Sequence, residues 1–243
     1  MMNGRQRLAL RLGLGLAAAA FLIGPDAARD AAAAGPPEGA LAPTATPAPT
    51  PAPVHIELKD TPFEGAAKAP IKVVVYSDFL CPHCRNVAHA LDRYLQQAAD
   101  RVAVYYKFYP LDGDCNPNLS MHPGACWLAY GAVCAQEQNQ FWPYHDKVFT
   151  LEHRPPAIAP NRGVVESLAG ALKLDTAAFR TCLDAPRTKA RVTSDVEEGA
   201  GFGIKGTPTL FVNGRRLAQP GEFTAAVDEE AKRLGLGASS AAK

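Results

Sequence analysis

Apolar periodicity along this chain begins only near Val54, and from there the elements can be read in order. Val54–Lys59 alternates apolar and polar side chains and predicts a first strand. Ile71–Tyr76 is β-branched and mostly apolar, the composition of a central strand buried on both faces. Asn86–Gln97 places Val87, Leu91 and Leu95 on one helical face, and Val102–Phe108 returns to strand. A strand, a helix and a strand within about 40 residues predict a βαβ unit with parallel pairing. Residues 122–200 then read as helical, over His122–Gln138, Phe141–Leu151, Val164–Leu172, Thr176–Leu183 and Lys189–Glu198. Pro123 suits the first turn of the first of these. Pro208–Asn213 is a strand, Asn213-Gly214 signals a two-residue hairpin into Arg215–Leu217, and Glu222–Leu236 is a helix with Phe223, Val227, Ala231 and Leu234 on one side. The order is β, βαβ, a helical insert at about 113–200, then ββα, with no internal repeat.

The first 53 residues are organised differently. Arg5, Arg7 and Arg11 precede a short apolar run, Leu12–Ile23, and an Ala-rich stretch reaches Ala34. The run falls short of the about 20 residues a membrane span needs and suits an export signal over residues 1–34, cleaved after Ala34. An uncleaved anchor is the alternative. Residues 35–53 interleave proline with Ala and Thr and predict an extended, semi-stiff linker. The folded domain is expected over 54–236, long enough to bury a core, with a flexible tail at 237–243.

The 243 residues carry 25 basic and 24 acidic side chains. Setting aside residues 1–34, with four arginines and two aspartates, leaves 21 basic and 22 acidic. No later stretch concentrates Lys or Arg, so nucleic acid is not an expected partner. Gly199–Gly203 lacks the flanking strand and helix of a dinucleotide fingerprint, and no cofactor is expected. No separate dimerisation segment is evident, which leaves a monomer.

The chemistry-bearing motif is Cys81-Pro82-His83-Cys84, set where the buried strand gives way to the amphipathic helix. Thiols three residues apart on a first helical turn can close and reopen a disulfide with little backbone movement. Helix-start N–H groups favour negative charge, so the Cys81 thiolate is stabilised, and His83 can add a hydrogen bond or positive charge. A stabilised thiolate favours the dithiol and makes the disulfide the stronger oxidant. Cys81 is expected to be the exposed attacking sulfur and Cys84 the deeper, resolving one. A structural disulfide is one alternative. A zinc site, drawing on Cys115, His122, Cys126 or His145, is another, disfavoured by oxidising export.

Cys115, Cys126, Cys134 and Cys182 allow three pairings. On one helix Cys126 and Cys134 stand about 12 Å apart in rise, beyond the about 7 Å that a disulfide spans between Cα atoms. Cys115 reaches the near end of that helix more easily, which favours Cys115–Cys126 and Cys134–Cys182. On the chain-entropy estimate the two would stabilise by about 3 and 4 kcal/mol. Alternatively, Cys115 and Cys126 form a second pair that shuttles electrons to Cys81–Cys84. Phe141, Trp142, Phe149 and Trp127 read as core aromatics of the insert, and His145 as a packing histidine.

Ser77–Cys84 resembles the active-site segment of DsbA-like proteins of the thioredoxin superfamily, and Gly206-Thr207-Pro208-Thr209 resembles that superfamily's cis-proline loop. Pro110-Leu111-Asp112, His122-Pro123 and Phe141-Trp142 with His145, Asp146 and Phe149 are similar to DsbA-like insert segments. The resemblance covers about Val54–Leu236. It implies an α/β thioredoxin-like fold, an exported thiol–disulfide oxidoreductase with Cys81, Pro82, His83, Cys84, Thr207 and Pro208 at its site, and reduced exported polypeptides as substrates. It also implies a quinone-linked membrane partner of vitamin K epoxide reductase or DsbB type. That Pro208 is cis rests on the resemblance, since only about 5–6% of X–Pro bonds are. Two other functions are compatible: a reductase or isomerase of the same fold, or a non-catalytic polypeptide-binding chaperone module. One departure stands out. Many thioredoxin-like proteins carry an acid six residues before the first active-site cysteine, where this chain has Val75; Asp78 is a possible substitute.

Overall fold

A computed structural model of the protein describes residues 52–117, 119–151 and 159–236. The segment expected to be an export signal, nearly all of the expected linker and residues 237–243 lie outside the described residues.

Five strands form one sheet in the order β1-β3-β2-β4-β5, with β1 at Phe63–Gly65, β2 at Ile71–Ser77, β3 at Val102–Phe108, β4 at Thr209–Val212 and β5 at Arg215–Arg216. β2 and β3 are parallel and joined by α1, Pro82–Ala98; the other pairs are antiparallel. Asn213 and Gly214 both take positive φ between β4 and β5, as a two-residue hairpin turn of this hand demands.

Strand alternation separates two cores. Ile71, Val73 and Val75 of β2, with Val102 and Val104 of β3, face Leu91 and Leu95 of α1 and Phe223 and Val227 of the last helix, α7 at Phe223–Arg233. Val74, Tyr76, Ala103 and Tyr105 face the other way, towards the helical insert. That insert is α2 (Ala125–Glu137), α3 (Phe141–Thr150), α4 (Arg162–Ala171), α5 (Thr176–Asp184) and α6 (Pro186–Gly201). α2 is buried almost all round and is the helix about which the others pack. Phe141 and Phe149 are buried, Trp127 and Trp142 partly so, and His145 packs among Phe79, Tyr106 and Trp142.

Two expectations need correction. Val54–Lys59 is not a strand: Val54 N–H reaches Gly214 O at 2.9 Å and Glu57 N–H reaches the Glu198 carboxylate at 2.9 Å, so the segment is anchored without a ladder. The first strand is instead Phe63–Gly65, three residues too short to show a period. α2 begins at Ala125 rather than His122, because Gly124 at its N-cap has φ +90° and breaks the turn that Pro123 would open. The carboxylate of buried Asp112 supplies the cap, accepting from Gly124 N–H at 2.8 Å and Cys126 N–H at 3.1 Å.

Disulfides join Cys115 to Cys126 and Cys134 to Cys182. The first ties the loop after β3 to the start of α2; the second ties α2 to α5.

Candidate active site

β2 ends at Ser77 and the chain turns through Asp78–Leu80 into α1, with Cys81 as N-cap and Pro82 in the first turn. Proline costs nothing there, since that N–H has no helical partner. The turn is held by Asp78, whose Oδ1 accepts from Leu80 N–H at 2.6 Å. Its Oδ2 accepts from Leu111 N–H at 2.6 Å and lies 3.0 Å from Nδ1 of His122. One buried carboxylate thus joins the active-site turn to the loop after β3 and to the approach to α2.

Cys81 and Cys84 are both free thiols, and both are buried. The attacking sulfur expected to be exposed is not: Cys81 is 3% exposed, because the loop at Thr207-Pro208 lies against it. The Cys81 S–H donates to Thr207 O at 3.4 Å, and the Thr207–Pro208 peptide is cis. Four residues of the sequence motif and two of the distant loop are therefore brought to one place.

The two sulfurs sit in opposed electrostatic settings. A hydrogen bond from the Cys84 thiol brings Cys81 down to about 5, against the opposing effect of burial, with further help from Cys84 N–H, the Thr207 hydroxyl and His83 N–H. Burial pushes Cys84 well up, and the neighbouring Cys81 pushes it further; Asp78 N–H, 3.4 Å from its sulfur, and the Ser77 hydroxyl only partly offset this.

His83 acts differently from its sequence reading. Its ring is exposed, and its contribution to Cys81 is a backbone N–H. The imidazole that senses the sulfur is His122, read from sequence as a mere helix start. Its hydrogen bond to Asp78 raises it, burial opposes this, and the charges of Asp78 and Cys81 raise it again. Because such coupling is mutual, an imidazolium at His122 favours the Cys81 thiolate. The sequence signal was the His122-Pro123 pair, but nothing local linked it to Asp78, 44 residues earlier.

The reactivity of Cys81 can be checked directly. Alkylation of the reduced protein by iodoacetamide is expected to rise with pH through about 5 and then level off, because only the thiolate reacts. Cys84 is expected to stay unmodified over the same range. A rise centred instead on the about 8.5 of an ordinary thiol would remove the assignment.

Among the described residues, no group of three or more His, Cys, Asp or Glu side chains is placed to hold a metal ion.

A dithiol at a strand-to-helix turn, faced by a cis-proline loop, defines the class of thioredoxin-fold thiol–disulfide oxidoreductases. The chain belongs to the thioredoxin family, whose model matches residues 57–229. The fold is DsbA-like. It is similar to crystalline, oxidised BdbD from Bacillus subtilis, with a TM-score of 0.63, 20% identity, and coverage of 75% of this chain and 97% of that one. A probable disulfide bond formation protein D of Bacillus anthracis is 27% identical over 180 residues, 70% of this chain and 77% of that protein. A Na(+)/H(+) antiporter NhaA 3 of Salinispora tropica is 35% identical over 158 residues. That match takes in 64% of this chain but only 22% of the antiporter, so the chain spans about a fifth of that relative.

Proposed function

We propose that the protein is an exported oxidase that introduces disulfides into secreted polypeptides through Cys81 and Cys84. The observation that carries this reading is the asymmetry of the pair: Cys81 is held down to about 5 while Cys84 is pushed up. In the oxidised enzyme a substrate thiolate attacks Cys81 Sγ, the Cys81–Cys84 bond breaks, and Cys84 leaves with the electron pair and takes a proton. A second substrate thiolate then attacks its own sulfur in the mixed disulfide. Cys81 leaves as a stable thiolate, and the substrate departs oxidised. Each turnover moves two electrons to the enzyme, so an oxidant must remove them, and the likeness to DsbA-like proteins supports a membrane partner linked to quinone in that role.

The lowered Cys81 also sets a direction. Its folded value lies below that of the unfolded thiol, so the stability it gives the reduced protein is complete above the unfolded value and is lost as pH falls through about 5. At pH 7 it favours the dithiol by about 2 kcal/mol, or roughly 40 mV towards an oxidising couple, after allowance for solvent around the sulfur. Export is supported by the basic and apolar start of the chain. It is supported as well by the two disulfides of the insert, a feature of oxidising compartments.

Equilibration with glutathione tests the direction. A potential more positive than about −200 mV is expected, and one near the about −270 mV of a reductase would replace the oxidase reading with that of a reductase.

A further inference from the structure

Thiol exchange at this site requires a proton at Cys84, and the acid found in many thioredoxin-like proteins is missing, because Val75 stands six residues before Cys81. Val75 instead forms one wall of a cavity of about 20 Å³ behind the resolving sulfur. Cys84, Ser77, Tyr106, His145, Glu64 and Asp92 also line it. That volume holds one water. Tyr106 is 3% exposed, and Ser77, which lines the same cavity, is the polar side chain set against its hydroxyl. Most of the wall is apolar, but the buried hydroxyls and the carboxyls that share it offer a water the two to four polar partners it needs.

Two carboxyls from separate elements reach this cavity. Glu64 comes from β1 and is exposed to solvent, whereas Asp92 comes from α1 and is half-buried. Burial raises both, Asp92 raises Glu64 further, and Asp146 of α3 raises each. His145 of α3 lowers both, and His89 and Arg93 of α1 lower Asp92.

We infer that Glu64 and Asp92 form a proton relay that serves Cys84 through one water in this cavity. The inference rests on the exchange chemistry proposed above. When Cys84 leaves the disulfide as a thiolate, the water gives it a proton and recovers one from the carboxyl pair, which recovers its own from solvent at Glu64. When Cys84 attacks a mixed disulfide, its thiol proton travels the same route outward as the new S–S bond forms and the substrate sulfur leaves. Neither carboxyl touches the reacting sulfurs, so both are positioning residues for a proton.

Rapid-quench mixing of the reduced full-length protein with oxidised glutathione separates the two steps. Formation of the Cys81–glutathione mixed disulfide depends on Cys81, and its resolution depends on deprotonation of Cys84. In a Glu64→Gln/Asp92→Asn variant, formation is expected to keep its rate and pH profile. Resolution is expected to slow about a hundredfold at pH 7, the low end for general acid–base catalysis, and to recover as pH rises and Cys84 ionises unaided. Adding Val75→Glu to that variant is expected to restore resolution in part. Unchanged resolution in the double variant, with normal formation, overturns the relay and leaves the exchange reading intact. Failure of the native protein to form any mixed disulfide sinks the exchange reading and the relay with it. A measurement on the native chain needs no variant: carboxyl-carbon NMR is expected to show Glu64 and Asp92 titrating at different pH in the reduced and oxidised forms. Identical titrations overturn the relay.

Discussion

Replacing Cys81 with serine is expected to lower thiol–disulfide exchange by at least about a thousandfold, the scale on which loss of a nucleophile acts. The reason lies in the ionisation of the sulfur. Cys81 is held down to about 5 and is a thiolate at neutral pH, whereas a serine hydroxyl in the same place stays protonated and forms no bond to a substrate sulfur. The fold should tolerate the change, since serine is close to cysteine in size and its hydroxyl can donate to Thr207 O, 3.4 Å from the native sulfur. Cys84→Ser is expected to behave differently. It keeps the attacking sulfur but has nothing to resolve the mixed disulfide, so a Cys81-linked substrate should accumulate. Insulin reduction and oxidation of a reduced substrate check both variants. If Cys81→Ser keeps both activities, the site is not a redox centre and the protein is a polypeptide-binding module instead.

The longer periodic elements were readable in the chain, whereas the short alternation of Val54–Lys59 misled and most contacts between distant segments left no local sign. β2 and α1 show their periods within a few residues, so the position of the dithiol at their junction could be found without coordinates. Helix rise excluded Cys126–Cys134, and the short loop from Cys115 to the near end of α2 then favoured Cys115–Cys126 and Cys134–Cys182, the pairs the structure holds. The role of a second imidazole went unread for the opposite reason. His83 lies between the cysteines in sequence, yet the turn directs its ring outward, while His122 is brought in by Asp78. Exposure of Cys81 was misjudged because the Thr207-Pro208 loop, 126 residues away, covers it. Asp112 gave no sign of capping α2, since the helix it caps begins with a left-handed glycine rather than a capping side chain. Lys107, in a strand otherwise made of valines and aromatics, gave no hint of its partners on α6.

Removal of one of those partners, by Asp195→Ala, is expected to destabilise the protein by about 3–5 kcal/mol, the usual cost of breaking a buried ion pair from one side. Lys107 is 4% exposed, and its Nζ lies 3.0 Å from Asp195 Oδ1 and 2.9 Å from Glu198 Oε2. Asp195 is 1% exposed and also pairs with Arg191 at 2.5 Å and accepts from Phe108 N–H at 3.0 Å. Alanine leaves Lys107 with Glu198 alone, Arg191 without its carboxylate, and a buried backbone N–H with no acceptor, which by itself costs about 1–3 kcal/mol. Asp195→Asn keeps an acceptor for that N–H and is expected to cost less. The effect reaches the active site through geometry. α6 runs into Ile204, whose carbonyl accepts from Tyr109 OH at 2.9 Å just ahead of the loop that covers Cys81. Loosening α6 from β3 should therefore free Thr207 from the sulfur, and Cys81 in the alanine variant should need a higher pH for half-maximal alkylation. Urea unfolding gives the stability and the alkylation profile gives the coupling. A loss below about 1 kcal/mol, within the range of a surface pair, would show that Glu198 satisfies Lys107 unaided and that α6 does not depend on this contact.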